Sequence, residues 1–291
     1  MALASSGSRA VARARGKNLR PKRLNVLVMG PAKTGTTVIS KTIQHSLPGA
    51  QYHLEPKRAL FFERGAHLRS KSSQVVKIIF EHWAKAPRLR SAIVHNELSL
   101  KFDKLVAIVR DPRDELLSRM MYVIHPHIMR KGYDPEVVGQ WVQTLETKEA
   151  APAEVSVVEM LDKLKELIGH NGLGVLGQPV YRKFLQAHRK QLFVVRYEDF
   201  IQGRTEELES YLGFELSECR DVGHLERTAR TRTFDNWKRY FTPQDVEALR
   251  APLLEAMEEW GYHDWELETP ASLDPDHGSR YVARLVEDTR R

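Results

Sequence analysis

The chain has 291 residues, 45 basic and 38 acidic, giving a formal net charge of +7, with 42% hydrophobic residues and a single cysteine. That length can bury a core as one large α/β domain or two small ones, and the lone Cys219 excludes an internal disulfide and makes a reducing compartment the default. No run is long enough for a membrane span and no apolar leader opens the chain, so the expectation is a soluble, cytoplasmic protein.

Residues 1–23 carry seven basic residues, from Arg9 to Arg23, and no acid. Removing those seven from 45 leaves 38 basic against 38 acidic residues, so the body is formally neutral. A basic arm on a neutral body reads as a disordered tail rather than a nucleic-acid surface. It also has the Arg-rich, acid-free character of organelle transit peptides.

A β-prone run from Leu24 ends at Gly30, and a loop to Thr37 leads into a helix over about 35–47. Residues 50–54 form a weak strand ahead of Glu55-Pro56, and 73–85 is expected to be helical. Two short apolar runs, Ser91–His95 and Lys104–Val109, read as buried strands, the second ending at Arg110-Asp111-Pro112, where Pro can open a helix. Apolar spacing predicts helices over 113–123, 135–147 and 155–168, with His125-Pro-His127 as a loop pair. A strand over 191–196 follows, then a helix near 204–212 and an amphipathic helix over about 243–259, opened by Thr242-Pro243. From about 266 to 291, Pro, Asp and Gly clusters read as a C-terminal tail. Strands alternating with helices predict an α/β fold with a mainly parallel sheet and ligands at the carboxyl ends of its strands. Gly172-Leu-Gly174-Val-Leu-Gly177 spells a dinucleotide fingerprint but follows a helical pattern, so it reads as a loop.

The chemistry concentrates in the loop Pro31-Ala32-Lys33-Thr34-Gly35-Thr36-Thr37. Backbone amides, hydroxyls and a helix N-terminus converge there on an anion. Gly30 and Gly35 keep the spacing of the nucleotide-triphosphatase loop, but Thr36 stands where that loop needs its Lys, and Lys33 sits three residues earlier. A phosphate fits; a triphosphate does not. Arg110 leaves a buried strand beside a helix start, with Ser118 two turns on, which suits a second phosphate held by a planar guanidinium.

These residues resemble the sulfotransferases that use 3′-phosphoadenylyl sulfate (PAPS). Their first loop reads Pro-x-Lys-Thr-Gly-Thr-Thr, as Pro31–Thr37 does, and binds the 5′ end of the donor. Their Arg and Ser on the 3′-phosphate are eight positions apart, as Arg110 and Ser118 are. Val194-Val-Arg-Tyr197-Glu-Asp199 is similar to the family's strand ending in Arg-Tyr-Glu-Asp. Arg230-x-Arg232, four residues and Trp237-Lys is similar to its late Arg-x-Gly…Trp-Lys segment, with Arg232 and Asp235 where the family often has Gly. Val38 stands where many small-molecule members place the Trp that meets adenine.

The resemblance covers about 24–265 and implies a P-loop-like three-layer αβα domain with a mainly parallel five-stranded sheet. It implies Lys33 at the leaving phosphate, Thr34, Thr36, Thr37 and the loop backbone on the 5′-phosphate, and Arg110, Ser118, Tyr197, Arg230 and Arg232 as further donor contacts. It implies release of 3′,5′-diphosphoadenosine without a metal. It implies a general base, expected to be Glu55, in a Glu-Pro…Phe-Phe segment similar to glycan-type and many bacterial members, or His95. The implied partner is a small-molecule or glycan acceptor. Two rivals are a small-molecule or nucleotide kinase and a non-catalytic binding protein of the same fold.

Overall fold

The computed structural model describes residues 23–83, 85–170, 176–217 and 233–290. Five strands, β1 (Asn25–Gly30), β2 (Gln51–Leu54), β3 (Gln74–Ile79), β4 (Lys104–Val109) and β5 (Phe193–Arg196), form one sheet in the order β2-β3-β1-β4-β5. Every pairing is parallel, with Val26 opposite Val75 and Lys104, and Val106 opposite Phe193. The fold is α/β.

Alternation along the strands feeds two cores. Leu27, Met29, Val76, Ile78, Leu105, Ala107 and Val109 face one side. Val26, Val28, Val75, Val106 and Ile108 face the other, under α1 (Thr36–Ser46) and α10 (Glu206–Leu212). Both faces are covered, so the central strands read as unbroken apolar runs. The first face carries α3 (Pro87–Val94), α4 (Pro112–Tyr122), α6 (Pro135–Ala150), α7 (Val157–Ile168), α8 (Pro179–Ala187) and α12 (Pro243–Trp260). Helix ends follow their caps. Asp111, Asp134, Ser156 and Thr242 each accept backbone N–H groups of the first turn, and Pro occupies the first position of five of these helices, α3, α4, α6, α8 and α12.

Several expectations are corrected. The predicted helix over 73–85 contains β3, because its Val-Val-Lys-Ile-Ile core is fully buried between two strands and β-branched side chains pack well on a pleated surface. Conversely Ser91–His95, expected as a strand, belongs to α3 and its C-cap; Pro87 opens that helix, and Arg90, Ile93 and Val94 form its buried face. His125-Pro-His127 lies inside α5 (Ile124–Lys131) rather than in a loop, with Pro126 within its first turn. The C-terminal segment is not simply a tail: α13 (Ser279–Arg290) buries Tyr281, Val282, Leu285 and Val286 against the main core. Ser279 anchors it, its amide and hydroxyl donating to the buried Glu149 carboxylate.

Lys148 on α6 is fully buried, its ammonium donating to the Pro152 and Val155 carbonyls at 2.6 Å each. Burial pulls its pKa from 10.5 down to about 8, against the partial support of Asp245 and Glu159. Between about pH 8 and 10.5 the unfolded chain therefore holds a proton that the folded chain has released, so folding stability from this group rises with pH across that window. Urea unfolding of wild type and Lys148→Met at pH 7.5, 9 and 10 checks this. The wild type should gain on the variant as pH rises; a pH-independent difference would show that Lys148 titrates alike in both states.

Candidate functional site

In a parallel sheet the carboxyl ends of all strands share one edge, and that edge collects most of the predicted residues. β1 ends at Gly30, where a Cβ would lie 2.8 Å from Thr34 Oγ1 and 3.1 Å from the Ile108 carbonyl. No side chain fits there. The loop then folds on itself, Thr34 donating its hydroxyl to the Pro31 carbonyl at 2.8 Å. Gly35 takes a left-handed φ of 88° and opens α1; a Cβ on it would strike the Tyr197 ring at 2.2 Å. The first-turn amides of α1, from Thr36 onward, have no acceptor within the helix and present a positive dipole end.

Lys33 itself is left-handed, with φ 71°, an unusual conformation for a side-chain-bearing residue and one that marks a position held by its surroundings. Part of the hold is Arg110, just past β4, whose Nη1 donates to the Lys33 carbonyl at 2.9 Å. The Lys33 ammonium lies 4.2 Å from the centre of the Tyr122 ring. Arg110 is 6% exposed, stacks 4.5 Å from Tyr197 and has a buried Nε with no hydrogen-bond partner. Tyr197, first residue of α9 (Tyr197–Ile201), thus wedges between the Gly35 turn and Arg110. Ser118 is buried on α4, two turns beyond the junction that carries Arg110.

The predicted second and late motifs also meet. Asp111 caps α4 and pairs with buried Arg113, whose guanidinium lies 3.5 Å from the Trp237 ring. The Trp237 amide donates to Asp114 at 3.1 Å. Trp237 is fully buried and acts as core beneath the site. Arg230 and Arg232, together with Gly172 and Gly174, fall outside the described residues.

Glu55 follows β2 at the same edge, also left-handed at φ 50°. Its amide donates to the Lys77 carbonyl at 2.9 Å, and its Oε1 pairs with the Lys77 ammonium at 2.5 Å. Lys77 is 4% exposed, and burial lowers its pKa despite the adjacent carboxylate. The second oxygen, Oε2, lies 3.8 Å from His82 Nδ1. β2 and β1 are two strand spacings apart, about 10 Å, and the end of β3 bridges them. On one side His82 faces Glu55; on the other the Glu81 carboxylate accepts the Ala32 amide at 3.0 Å.

His95 is not part of this edge. As C-cap of α3 it neighbours Asn96, which bonds Phe102, while Lys101 and Asp103 bond Asn25 at the start of β1. That is the opposite end of the sheet, where its ring meets His188 at 5.2 Å.

Residues that the sequence did not single out complete the setting. Glu81 pairs with Arg119, which also holds Glu115 at 2.6 Å; Glu115 in turn accepts from Gln178 at 2.7 Å. Burial raises the Glu115 pKa against the pull of Arg119. This network braces the loop through the Ala32 amide. Its signal was hidden because Lys77, Glu81 and His82 sit in the segment read as a helix. Among the described residues no group of three or more His, Cys, Asp or Glu is placed to hold a metal ion.

A family model, the sulfotransferase domain, matches residues 23–239. The chain belongs to the sulfotransferase domain family. A search of curated proteins finds no match. Among solved structures, mouse sulfotransferase SULT7A1 complexed with PAP is similar at 14% identity, covering 82% of this chain and 88% of that one with a TM-score of 0.48. At that likeness no residue's role transfers. No helix among the described residues is long and apolar enough to cross a membrane.

Proposed function

We propose that this sulfotransferase moves a sulfuryl group from PAPS to a hydroxyl or amine, with Glu55 as general base. The observation that carries the reading is the convergence of the Lys33 loop, Arg110, Tyr197 and Glu55 on one sheet edge. The residues present fit a nucleotide bearing two separate phosphates. The loop backbone is packed so closely that a Cβ on Gly30 or Gly35 would collide with Thr34 or Tyr197, which fixes where its amides point, and Arg110 keeps a buried, unpartnered Nε. Bound PAPS supplies the sulfuryl group, whose bond to the bridging phosphate oxygen breaks as the acceptor oxygen or nitrogen attacks in line.

The chain's own residues do the rest. The amides of α1's first turn with the Thr36 and Thr37 hydroxyls take the 5′-phosphate, and Arg110 with Ser118 takes the 3′-phosphate. Lys33 places positive charge where the departing phosphate gains negative charge. Lys77 fixes one oxygen of Glu55, leaving Oε2 to receive the acceptor's proton. Positioning and charge carry the reaction, and no covalent intermediate on the protein is needed.

Calorimetry with 3′,5′-diphosphoadenosine, AMP and ATP, each with and without Mg²⁺, tests the reading. The diphosphate should bind without metal and more tightly than ATP; Mg²⁺-dependent ATP binding would establish the kinase instead. Arg110→Ala should weaken the diphosphate by about 10- to 100-fold, the loss expected for a charged hydrogen bond worth about 1.5–3 kcal/mol, and change AMP far less. Equal weakening of both would reduce Arg110 to a brace for the Lys33 carbonyl.

A further inference from the structure

α4 and the turn before it reach the Lys33 loop at three points. Arg110, two residues ahead of α4, donates to the Lys33 carbonyl. Arg119 within α4 pairs with Glu81, which accepts the neighbouring Ala32 amide. Tyr122, the last residue of α4, has the Lys33 ammonium 4.2 Å from its ring centre. The first two contacts fix the backbone, and the third reaches the charged group itself. Tyr122 is half-buried at a helix end, and helix ends fray unless something holds them.

What holds this end comes from the last helix of the chain. His125, in the first turn of α5, meets the Tyr122 ring at 5.1 Å between centres. Its Nδ1 lies 2.7 Å from the Thr289 hydroxyl of α13. Thr289 has one hydroxyl proton and gives it to the Leu285 carbonyl at 2.6 Å, so its oxygen accepts and His125 Nδ1 carries the hydrogen. That bond sets both the tautomer and the orientation of the imidazole. α13 is itself fixed at both ends. Ser279 donates to the buried Glu149 of α6, and the Arg290 guanidinium lies 4.2 Å from the Tyr133 ring centre. Leu285 and Val286 join its middle to the core. The whole helix lies beyond the 23–239 stretch that the sulfotransferase domain covers.

We propose that α13 completes the catalytic site: through Thr289 and His125 it positions Tyr122, whose ring sets where the Lys33 ammonium stands. The proposal rests on the catalytic reading of Lys33. Thr289 and His125 are positioning residues, and neither touches the reacting atoms. A lysine side chain has much rotamer freedom, so a ring that confines its ammonium raises the fraction of productive arrangements.

Two measurements on the full chain test it. Thr289→Val is nearly isosteric and removes the hydroxyl, whereas Thr289→Ser keeps it. Thr289→Val should lower kcat about 3- to 10-fold, with acceptor KM and affinity for 3′,5′-diphosphoadenosine unchanged. His125→Leu should match it, and Thr289→Ser should restore the wild-type rate. Wild-type turnover in Thr289→Val would overturn the proposal, as would a serine variant no faster than the valine one. The second measurement needs no turnover. With isotopically labelled lysine, the Lys33 side-chain NMR signal is the one missing from Lys33→Arg. The Tyr122 ring current should displace it in wild type and in Thr289→Ser, and the displacement should shrink in Thr289→Val and His125→Leu. An unchanged signal in those two variants would overturn the proposal whether or not PAPS is turned over. A signal that responds as expected in a protein inert toward PAPS supports the positioning and removes the catalytic reading of Lys33 instead.

Discussion

Lys33→Ala should lower turnover of PAPS by on the order of 10²-fold or more while changing affinity for 3′,5′-diphosphoadenosine far less. In the proposed role the ammonium meets charge that exists only as the bridging bond breaks, so its loss would fall on the rate and not on ground-state binding. The backbone makes the site unusual. Lys33 is held at φ 71° with its carbonyl tied to Arg110, and the next turn is fixed by Gly35 against Tyr197. Since Ala and Lys meet the same left-handed penalty, the substitution leaves the strain nearly unchanged and isolates the charge. Lys33→Gln, which keeps reach without charge, should behave as Ala does. Release of 3′,5′-diphosphoadenosine under single-turnover conditions is the readout, and unchanged turnover in both variants would remove Lys33 from the chemistry.

Much of this site is legible in the chain because its chemistry needs local spacing. Gly30, Lys33, Gly35 and Thr36 lie within one strand–loop–helix unit, and Arg110 to Ser118 within one strand–helix junction, so their juxtaposition follows from the backbone alone. β1, β4, α4, α6 and α12 are long or well capped and fall close to their expected ranges. What fails is the short apolar run. Gln74–Ile79 and Ser91–Val94 carry similar aliphatic density, and six residues cannot distinguish a buried strand from a helix face. That exchange had a functional consequence. It hid Lys77, Glu81 and His82 at a strand end, and it advanced His95, which the fold places at the far edge. The terminal helix was masked differently: Pro, Asp and Gly before it are genuine turn signals, while its four apolar residues matter only because Glu149 and the core receive them.

The base is settled by a set of three substitutions. Glu55→Gln should abolish most transfer, on the order of 10²-fold or more, and leave binding of 3′,5′-diphosphoadenosine intact, since the amide keeps the shape and loses the basicity. Losing the carboxylate also leaves Lys77 buried without its partner, and its already lowered pKa means that it can shed its proton rather than unfold the site. The unfolding midpoint of the variant separates that effect from catalysis. His82→Asn probes the imidazole whose Nδ1 lies 3.8 Å from Glu55 Oε2; it should cost less than Glu55→Gln, because the imidazole stands beyond the carboxylate and burial lowers its pKa. His95→Asn should leave turnover at the wild-type level, for it lies beside Asn96 at the start of the strands while Lys33 lies beyond their ends. Three rates therefore order the candidates on one scale. If Glu55→Gln retains activity while His82→Asn silences the protein, the base is the histidine that β3 delivers, and Glu55 becomes its positioning partner. Loss through His95→Asn with binding intact would instead require the acceptor to reach the opposite edge of the sheet, which no single bound acceptor sharing the Lys33 loop can do.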